Sequence, residues 1–116
     1  MIVDKKRIEN MTVLSVEGII KLGQSAEFLA QNLRRALETD EGHMIVDLTK
    51  INYIDSTGIG ELVAYLGRFG AMDRKFILVN PSDRVRKLLQ VAQLDALFTI
   101  YDDLDGAIAA ERAASA

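Results

Sequence analysis

The sequence contains no cysteine, one histidine, one proline and no tryptophan. Without cysteine there can be no disulfide scaffold, no thiolate zinc site and no cysteine nucleophile. With His43 alone, a multi-histidine metal site within one chain is excluded. No apolar run approaches the roughly 18 residues of a membrane span. The segment Met1 to Asn10 carries Asp4, Lys5, Lys6, Arg7 and Glu9 where a signal peptide would need an apolar stretch. An excess of basic residues is also missing: the net charge is -3, which argues against a broad nucleic-acid footprint. These absences predict a soluble protein of a reducing, cytoplasmic compartment with no direct nucleic-acid partner and no membrane insertion.

What is present fits one domain. A chain of 116 residues, 49% of them hydrophobic, is long enough to bury a core without disulfides or metals. No Pro-, Ser- or Gly-rich linker divides it and no internal repeat is found, so residues 1–116 are expected to form a single unit. The Ala-rich tail Ala109–Ala116 reads as a fraying helix end.

Hydrophobic periodicity supplies the elements. Met11 to Gly18 alternates, with Met11, Val13 and Ser15 on one face and Thr12, Leu14 and Val16 on the other, as a strand does. Ile2 to Glu9 is its partner across a tight turn at Asn10, a residue that tolerates left-handed backbone. Ala26, Leu29, Leu33, Ala36 and Leu37 form a helical stripe over Ser25 to Thr39. Ser25 is placed as its N-cap, Glu27 lies in its first turn and Gly42 follows as a stop.

His43 to Leu48 and Lys75 to Asn80 are apolar runs of strand length, suited to a sheet covered by helices. Between them Ile59, Leu62, Val63, Leu66 and Phe69 repeat at helical spacing, ending at Gly70. Val85, Leu88, Leu89 and Ala92 form a third stripe, opened by Pro81 with Ser82 as N-cap. Leu97 to Ile100 is a last strand. A last helix carries Leu104, Ala107, Ile108 and Ala110, capped by Asp102 or Asp103. The order β-β-α-β-α-β-α-β-α predicts an α/β fold: a mixed, largely parallel central sheet with an N-terminal β-hairpin and about four helices.

One segment stands apart: Tyr53-Ile54-Asp55-Ser56-Thr57-Gly58-Ile59-Gly60-Glu61-Leu62. A carboxylate and two hydroxyls lead into a helix whose first turn holds two glycines, although Gly costs about 1 kcal/mol against Ala in a helix. Two readings stay open on spacing alone. In one, a partner approaches this backbone closely. In the other, Asp55 or Ser56 is a plain N-cap and the glycines permit tight helix–sheet packing.

Enzymatic readings fail on the residues. There is no Gly-x-Ser-x-Gly elbow, and His43 is the only imidazole base for a serine hydrolase. Asp-Ser-Thr-Gly is one residue longer than the Asp-Thr-Gly of aspartic proteases. No Gly-x4-Gly-Lys-Ser/Thr phosphate loop exists, although the helix N-terminus keeps free N–H groups for an anion.

Asp55-Ser56-Thr57-Gly58-Ile59-Gly60 resembles the signature of STAS domains, above all bacterial anti-sigma factor antagonists. There a strand and short loop lead into Asp-Ser-(Ser/Thr)-Gly-(Leu/Ile)-Gly. The resemblance extends over nearly the whole chain: the opening hairpin, the Val46-Asp47-Leu48 strand, the Phe76 to Asn80 strand and the Val85-x-x-Leu88-Leu89 helix. It implies no enzyme and no cofactor but a partner-switching module that regulates transcription. The unphosphorylated protein would bind an anti-sigma factor, a serine kinase of the GHKL type. Phosphorylation of the hydroxyl after the Asp would release it, and a PP2C-type phosphatase would reverse the change.

Carried across, Ser56 is the phosphorylated residue, with Thr57 the second hydroxyl. Asp55, Ser56, Thr57, Gly58, Ile59, Gly60, Glu61 and Leu62 form the expected partner surface. The alternatives are a non-switching subunit of a larger assembly, such as a stressosome-like scaffold or a lipid-transport ATPase, or a small-anion or nucleotide-binding module.

One departure concerns the second strand. Many antagonists have Gly-Glu-Leu-Asp there, whereas this chain reads Gly18-Ile19-Ile20-Lys21-Leu22-Gly23, with Lys21 at the Asp position. A cation beside a future phosphate could neutralise it; it could equally be a plain surface lysine. Asp47 is a second possible modulator of the loop, either beside Asp55 or as a strand-end residue that fixes backbone. His43 is expected at a partly exposed edge. Arg84, Arg86 and Lys87 read as a solvated face more than an anion site. Tyr53 and Phe69 are expected to pack in the core or at its rim, and the methionines are too scattered for a groove.

Overall fold

The structure, a computed structural model, describes residues 2–115. Strand β1 (Ile2–Ile8) and strand β2 (Met11–Ile20) form an antiparallel hairpin with Ile8 opposite Met11. The left-handed backbone expected at Asn10 falls on Glu9, at φ +55°. In a two-residue hairpin loop both favoured turns demand positive φ at the first position, whatever residue stands there. Asn10 instead packs on Gly42 (φ +82°), where a side chain would overlap the Asn10 carbonyl.

Helix α1 (Gln24–Thr39) leads to strand β3 (His43–Ile54), helix α2 (Ser56–Gly70) and strand β4 (Phe76–Val79). Helix α3 (Asp83–Val91), a 3-10 turn at Asp95–Leu97, strand β5 (Thr99–Tyr101) and helix α4 (Leu104–Ser115) complete the order. The sheet runs β1-β2-β3-β4-β5, antiparallel in the first pair and parallel in the others. This is the mixed α/β fold that the periodicity predicts.

Alternation along β2 sorts the core into two layers. Leu14, Val16 and Ile20 face a large cluster with Leu29 and Leu33 of α1, Leu62 and Phe69 of α2, and Val85 and Leu89 of α3. Met11 and Val13 face a smaller cluster with Ile45, Ile77 and Val79 and with Ala107 and Ile108 of α4. Three helices therefore cover one face and one helix covers the other. Among the described residues no helix is long and apolar enough to cross a membrane.

Several boundaries differ from the periodicity, each for a local reason. Helix α1 starts at Gln24 with Gly23 as N-cap, and Ser25 is not the cap. Gly23 has φ +109° and ψ -141°, close to a region open essentially to glycine alone. The Ser25 hydroxyl instead accepts from the Lys21 N–H (2.9 Å) and donates to the Lys21 carbonyl (3.0 Å). On α3 only Val85 and Leu89 are buried; Leu88 and Ala92 are exposed. This nine-residue helix packs beside the short outer strands, so it hides a narrower stripe than its spacing offers.

Strand β5 spans Thr99–Tyr101, because Asp95–Leu97 turns as a 3-10 segment and buries Phe98 against Phe76 (6.3 Å between rings). Asp103, not Asp102, caps α4, its carboxylate accepting from the Gly106 N–H at 2.6 Å. That helix continues to Ser115 across the tail expected to fray; Met1 and Ala116 lie outside the described residues.

Strand β3 determines where the site sits. It pairs with β4 only over Met44–Asp47 but with β2 as far as Ile54. Its last residues therefore project beyond β4 as a two-stranded ribbon with the end of β2. Helix α2 begins at the tip of that ribbon.

Candidate functional site

Asp55 joins the ribbon to α2. Its backbone is extended (φ -95°, ψ -177°), and its N–H donates to the Ile20 carbonyl at 3.0 Å. One carboxylate oxygen accepts from the Gly58 N–H at 2.9 Å, capping α2. The other accepts from the Leu22 N–H at 2.8 Å, in the loop that leads to α1. A single side chain thus ties two crossover loops together. The N–H groups of Gly58 and then Leu22 hold its pKa below the usual carboxylate range. Asp55 is therefore ionised at neutral pH.

Ser56 is the first residue of α2 and is exposed. Among the described residues its hydroxyl makes no hydrogen bond. Thr57 is half-buried. The two glycines divide between the readings the sequence left open. A Cβ on Gly58 would stand 2.6 Å from Ile54 Cγ1 and 2.7 Å from Ile20 Cγ2, both in fully buried side chains, so Gly58 serves helix–sheet packing. A Cβ on Gly60 would meet nothing within 4 Å, and Gly60 is exposed, so close packing gives no account of it.

The expected partner surface therefore divides along the helix. Gly58, Ile59 and Leu62 are buried and face the core, because their spacing follows the helix period that also buries Tyr65 and Phe69. Ser56 and Gly60 are exposed, and Asp55, Thr57 and Glu61 are half-exposed. The structure adds residues that sequence reasoning missed. Ile19 (48% exposed) pairs across the ribbon with Tyr53 (37%), and Leu22 (76%) lies in the loop held by Asp55. Only the β2–β3 register brings Ile19 and Tyr53 together. Leu22 carried a readable signal: a large apolar residue in a Gly-bounded loop with no element to bury it.

The remaining candidates fall as follows. Lys21 is exposed in the same loop, and among the described residues its ammonium makes no ion pair. Asp47 does not stand beside Asp55 and does not end its strand; it lies within β3 and shares a face with Ile45. It opens on a groove of about 340 Å³ with Asp4, Ser15 and Leu104. Its carboxylate accepts from the Thr49 N–H (3.0 Å) and hydroxyl (2.6 Å). His43 is half-exposed and accepts from the Lys75 N–H through Nδ1 at 2.9 Å. Phe69 is fully buried. Among the described residues no group of three or more His, Asp or Glu side chains is placed to hold a metal ion.

Comparison with known proteins places this geometry in context. The family model described as STAS domain matches residues 3–107. The anti-sigma-B factor antagonist of Listeria monocytogenes is 29% identical over 86 residues, 71% of this chain and 75% of that protein. An anti-sigma factor antagonist from Mycobacterium paratuberculosis superposes with TM-score 0.86 at 24% identity, covering 96% of this chain and 93% of its own. The anti-sigma factor antagonist SpoIIAA in its unphosphorylated form gives TM-score 0.74 at 18% identity, covering 99% and 100%. These structural likenesses establish the fold.

Proposed function

The chain belongs to the STAS domain family, and from that membership we infer that it is an anti-sigma factor antagonist switched by phosphorylation of Ser56. The observation that carries this reading is the state of the Ser56 hydroxyl. It is exposed at the first residue of a helix and, among the described residues, unengaged, next to the Asp55 carboxylate that ties the two loops together. In this reading the whole chain acts as one binding module of the cytoplasm and catalyses nothing itself. Unmodified, it binds an anti-sigma factor, a GHKL-type serine kinase, and frees the sigma factor. The kinase moves the γ-phosphoryl group of ATP to Ser56 Oγ, releasing ADP and the hydroxyl proton. A PP2C-type phosphatase returns the phosphoryl group to water as inorganic phosphate.

The physics supports a switch of binding more than of fold. Phosphorylation adds about -1.5 to -2 charges at neutral pH. The dipole at the N-terminus of α2 favours that charge, so the domain tolerates it. A partner surface shaped for a neutral serine meets new bulk and a charge next to the ionised Asp55. Like-charge or desolvated contacts across an interface cost several kcal/mol. The contact surface in this reading comprises Ser56, Gly60 and the half-exposed Asp55, Thr57 and Glu61, continued onto Leu22 and the Ile19–Tyr53 pair. Thr57, half-buried, is the poorer acceptor.

Mass spectrometry of the protein recovered from its native host tests this, comparing wild type with Ser56→Ala and identifying copurified partners. Phosphate on Ser56, with a GHKL-type kinase retained mainly by the unphosphorylated form, is the expected result. No phosphate under any growth condition, together with a stable transport or scaffold complex indifferent to Ser56→Ala, would replace the switch with an assembly-subunit role.

A further inference from the structure

The basic cluster at the start of α3 is not uniform. Arg86 is committed: its Nε donates to the Pro81 carbonyl (3.2 Å) and its Nη2 to Asp102 (3.0 Å). Arg84 is exposed, and among the described residues it makes no ion pair or hydrogen bond. Its guanidinium lies 5.5 Å from the centre of the Tyr53 ring. Tyr53 precedes Ser56 by three residues, so their Cα atoms are at most about 11 Å apart. Helices α2 and α3 follow the adjacent parallel strands β3 and β4 and pack on the same core. Their N-termini therefore lie toward the same end of the sheet, that of α2 at the tip of the projecting ribbon and that of α3 beside the ribbon, where Arg84 meets Tyr53.

The geometry points to Arg84 as the internal receiver of a phosphate on Ser56. Phosphorylation draws the guanidinium off Tyr53 and onto the phosphoserine, so the modification offsets part of its own charge and uncovers an aromatic ring. This rests on the reading of Ser56 as the modified residue. The order of interaction strengths drives the exchange. A cation over an exposed ring is weakly held, whereas a guanidinium and a phosphate form charge-assisted, often bidentate hydrogen bonds.

Nearby carboxylates do not pre-empt the exchange. Asp55 is occupied by the Gly58 and Leu22 N–H groups, and Asp83, adjacent on α3, is not paired with Arg84. Lys21 is the competing cation, from the β2–α1 loop. The lost Arg84–Tyr53 stack would alter the partner surface a second time, at a point the phosphate itself does not occupy.

The test needs no kinase. The full chain is made with phosphoserine inserted at position 56 during translation, and the phosphate is titrated by 31P NMR. An unpaired phosphoserine has its second ionisation near pH 6. Arg84→Gln is expected to raise the midpoint by roughly half a pH unit relative to the unsubstituted phosphoprotein, because a neighbouring cation favours the dianion. Tyr53 ring signals should shift on phosphorylation in the parent and stay unmoved in Arg84→Gln. Identical midpoints in the two proteins would overturn the assignment. So would a shift produced by Lys21→Gln and not by Arg84→Gln. Absence of phosphate in the host would remove the switch and leave this result standing, so the two failures are distinguishable.

Discussion

The two faces of the sheet are stabilised by different physics. Under α1, α2 and α3 the burial is apolar almost throughout, with Leu14, Leu29, Leu33, Leu62, Phe69 and Leu78 fully shielded. Under α4 the apolar cluster is small, and a carboxylate completes the contact. Glu111 is 2% exposed; it accepts from the Tyr101 hydroxyl at 2.6 Å and pairs with Lys75 at 3.0 Å. Arg112 adds a 2.7 Å pair with Glu9. Burial alone would raise the pKa of Glu111, but the bonds from Tyr101 and Lys75 outweigh it and leave the pKa below its usual value. The Tyr101 phenol is pushed up, first by its bond to Glu111 and then by burial. Around Ser56 this face draws its stability from apolar contacts. Its charged groups, Asp40 with Thr12 and Lys5, and Arg74 on the α1 and Gly42 carbonyls, lie at the far end of α1. A phosphate at Ser56 would therefore sit above contacts indifferent to charge. Charge-sensitive stability lies at the end of α1 remote from Ser56 and on the other face.

The most damaging substitution should be Leu62→Ala. It empties a fully buried position on the apolar face and is expected to cost about 2–5 kcal/mol, read as a lower urea midpoint at unchanged slope. Wild-type stability combined with lost partner binding would instead place Leu62 at the surface and break the comparison.

Gly58→Ala comes next. Its Cβ has no room between Ile20 and Ile54, so a loss of about 1–3 kcal/mol is expected. Gly60→Ala has open space and should stabilise by up to about 1 kcal/mol by the same urea titration. Equal effects at both positions would mean that α2 does not sit on the sheet as described.

Glu111→Gln should cost about 1–2 kcal/mol near neutral pH, and this deficit should depend on pH. A depressed carboxylate pKa contributes stability that is fully present above the unfolded value, near 4.3, and lost as pH falls through the lower folded pKa. The raised Tyr101 pKa gives the opposite limb: stability present below about 10 and lost as pH rises through the higher folded value. Urea midpoints across pH should therefore show the Glu111→Gln deficit shrinking in acid while the Leu62→Ala deficit stays level. Parallel profiles would show that the two faces do not differ in this way.

How far the sequence discloses all this depends on the kind of information each residue carries. Asp55, Ser56 and the glycine pair are legible because capping and glycine placement are local chemistry. The helical stripe already put Ile59 and Leu62 inward, so counting a contiguous run as partner surface set aside the period of the helix that holds it. The β3 overhang was not legible, since it arises from the difference in length between β3 and β4. The meeting of Ile19 with Tyr53, and of Tyr53 with Arg84, follows from that overhang. Ser25 failed as a cap because the backbone angles at Gly23 outweighed a good capping side chain. Glu111 sat in an Ala-rich tail whose composition says nothing of the tyrosine and lysine waiting across the sheet.

The smallest stability change belongs to Ser56 itself, and it sharpens the comparison most. Ser56→Ala removes a hydroxyl that has no partner among the described residues, so stability should stay within about 0.5 kcal/mol of wild type by urea titration. Ser56→Asp places a carboxylate in the first turn of α2, where the dipole offers about 0.3–1 kcal/mol of stabilisation. Partner binding should separate the two: retained in Ser56→Ala, and lost in Ser56→Asp by calorimetric titration against the copurified anti-sigma partner. If Ser56→Asp unfolds the domain, the apolar face does not insulate the site from charge. If both variants bind alike, charge at position 56 is not what the partner reads. Near-neutral stability with divided binding is the result that a rigid frame carrying a chemical switch requires.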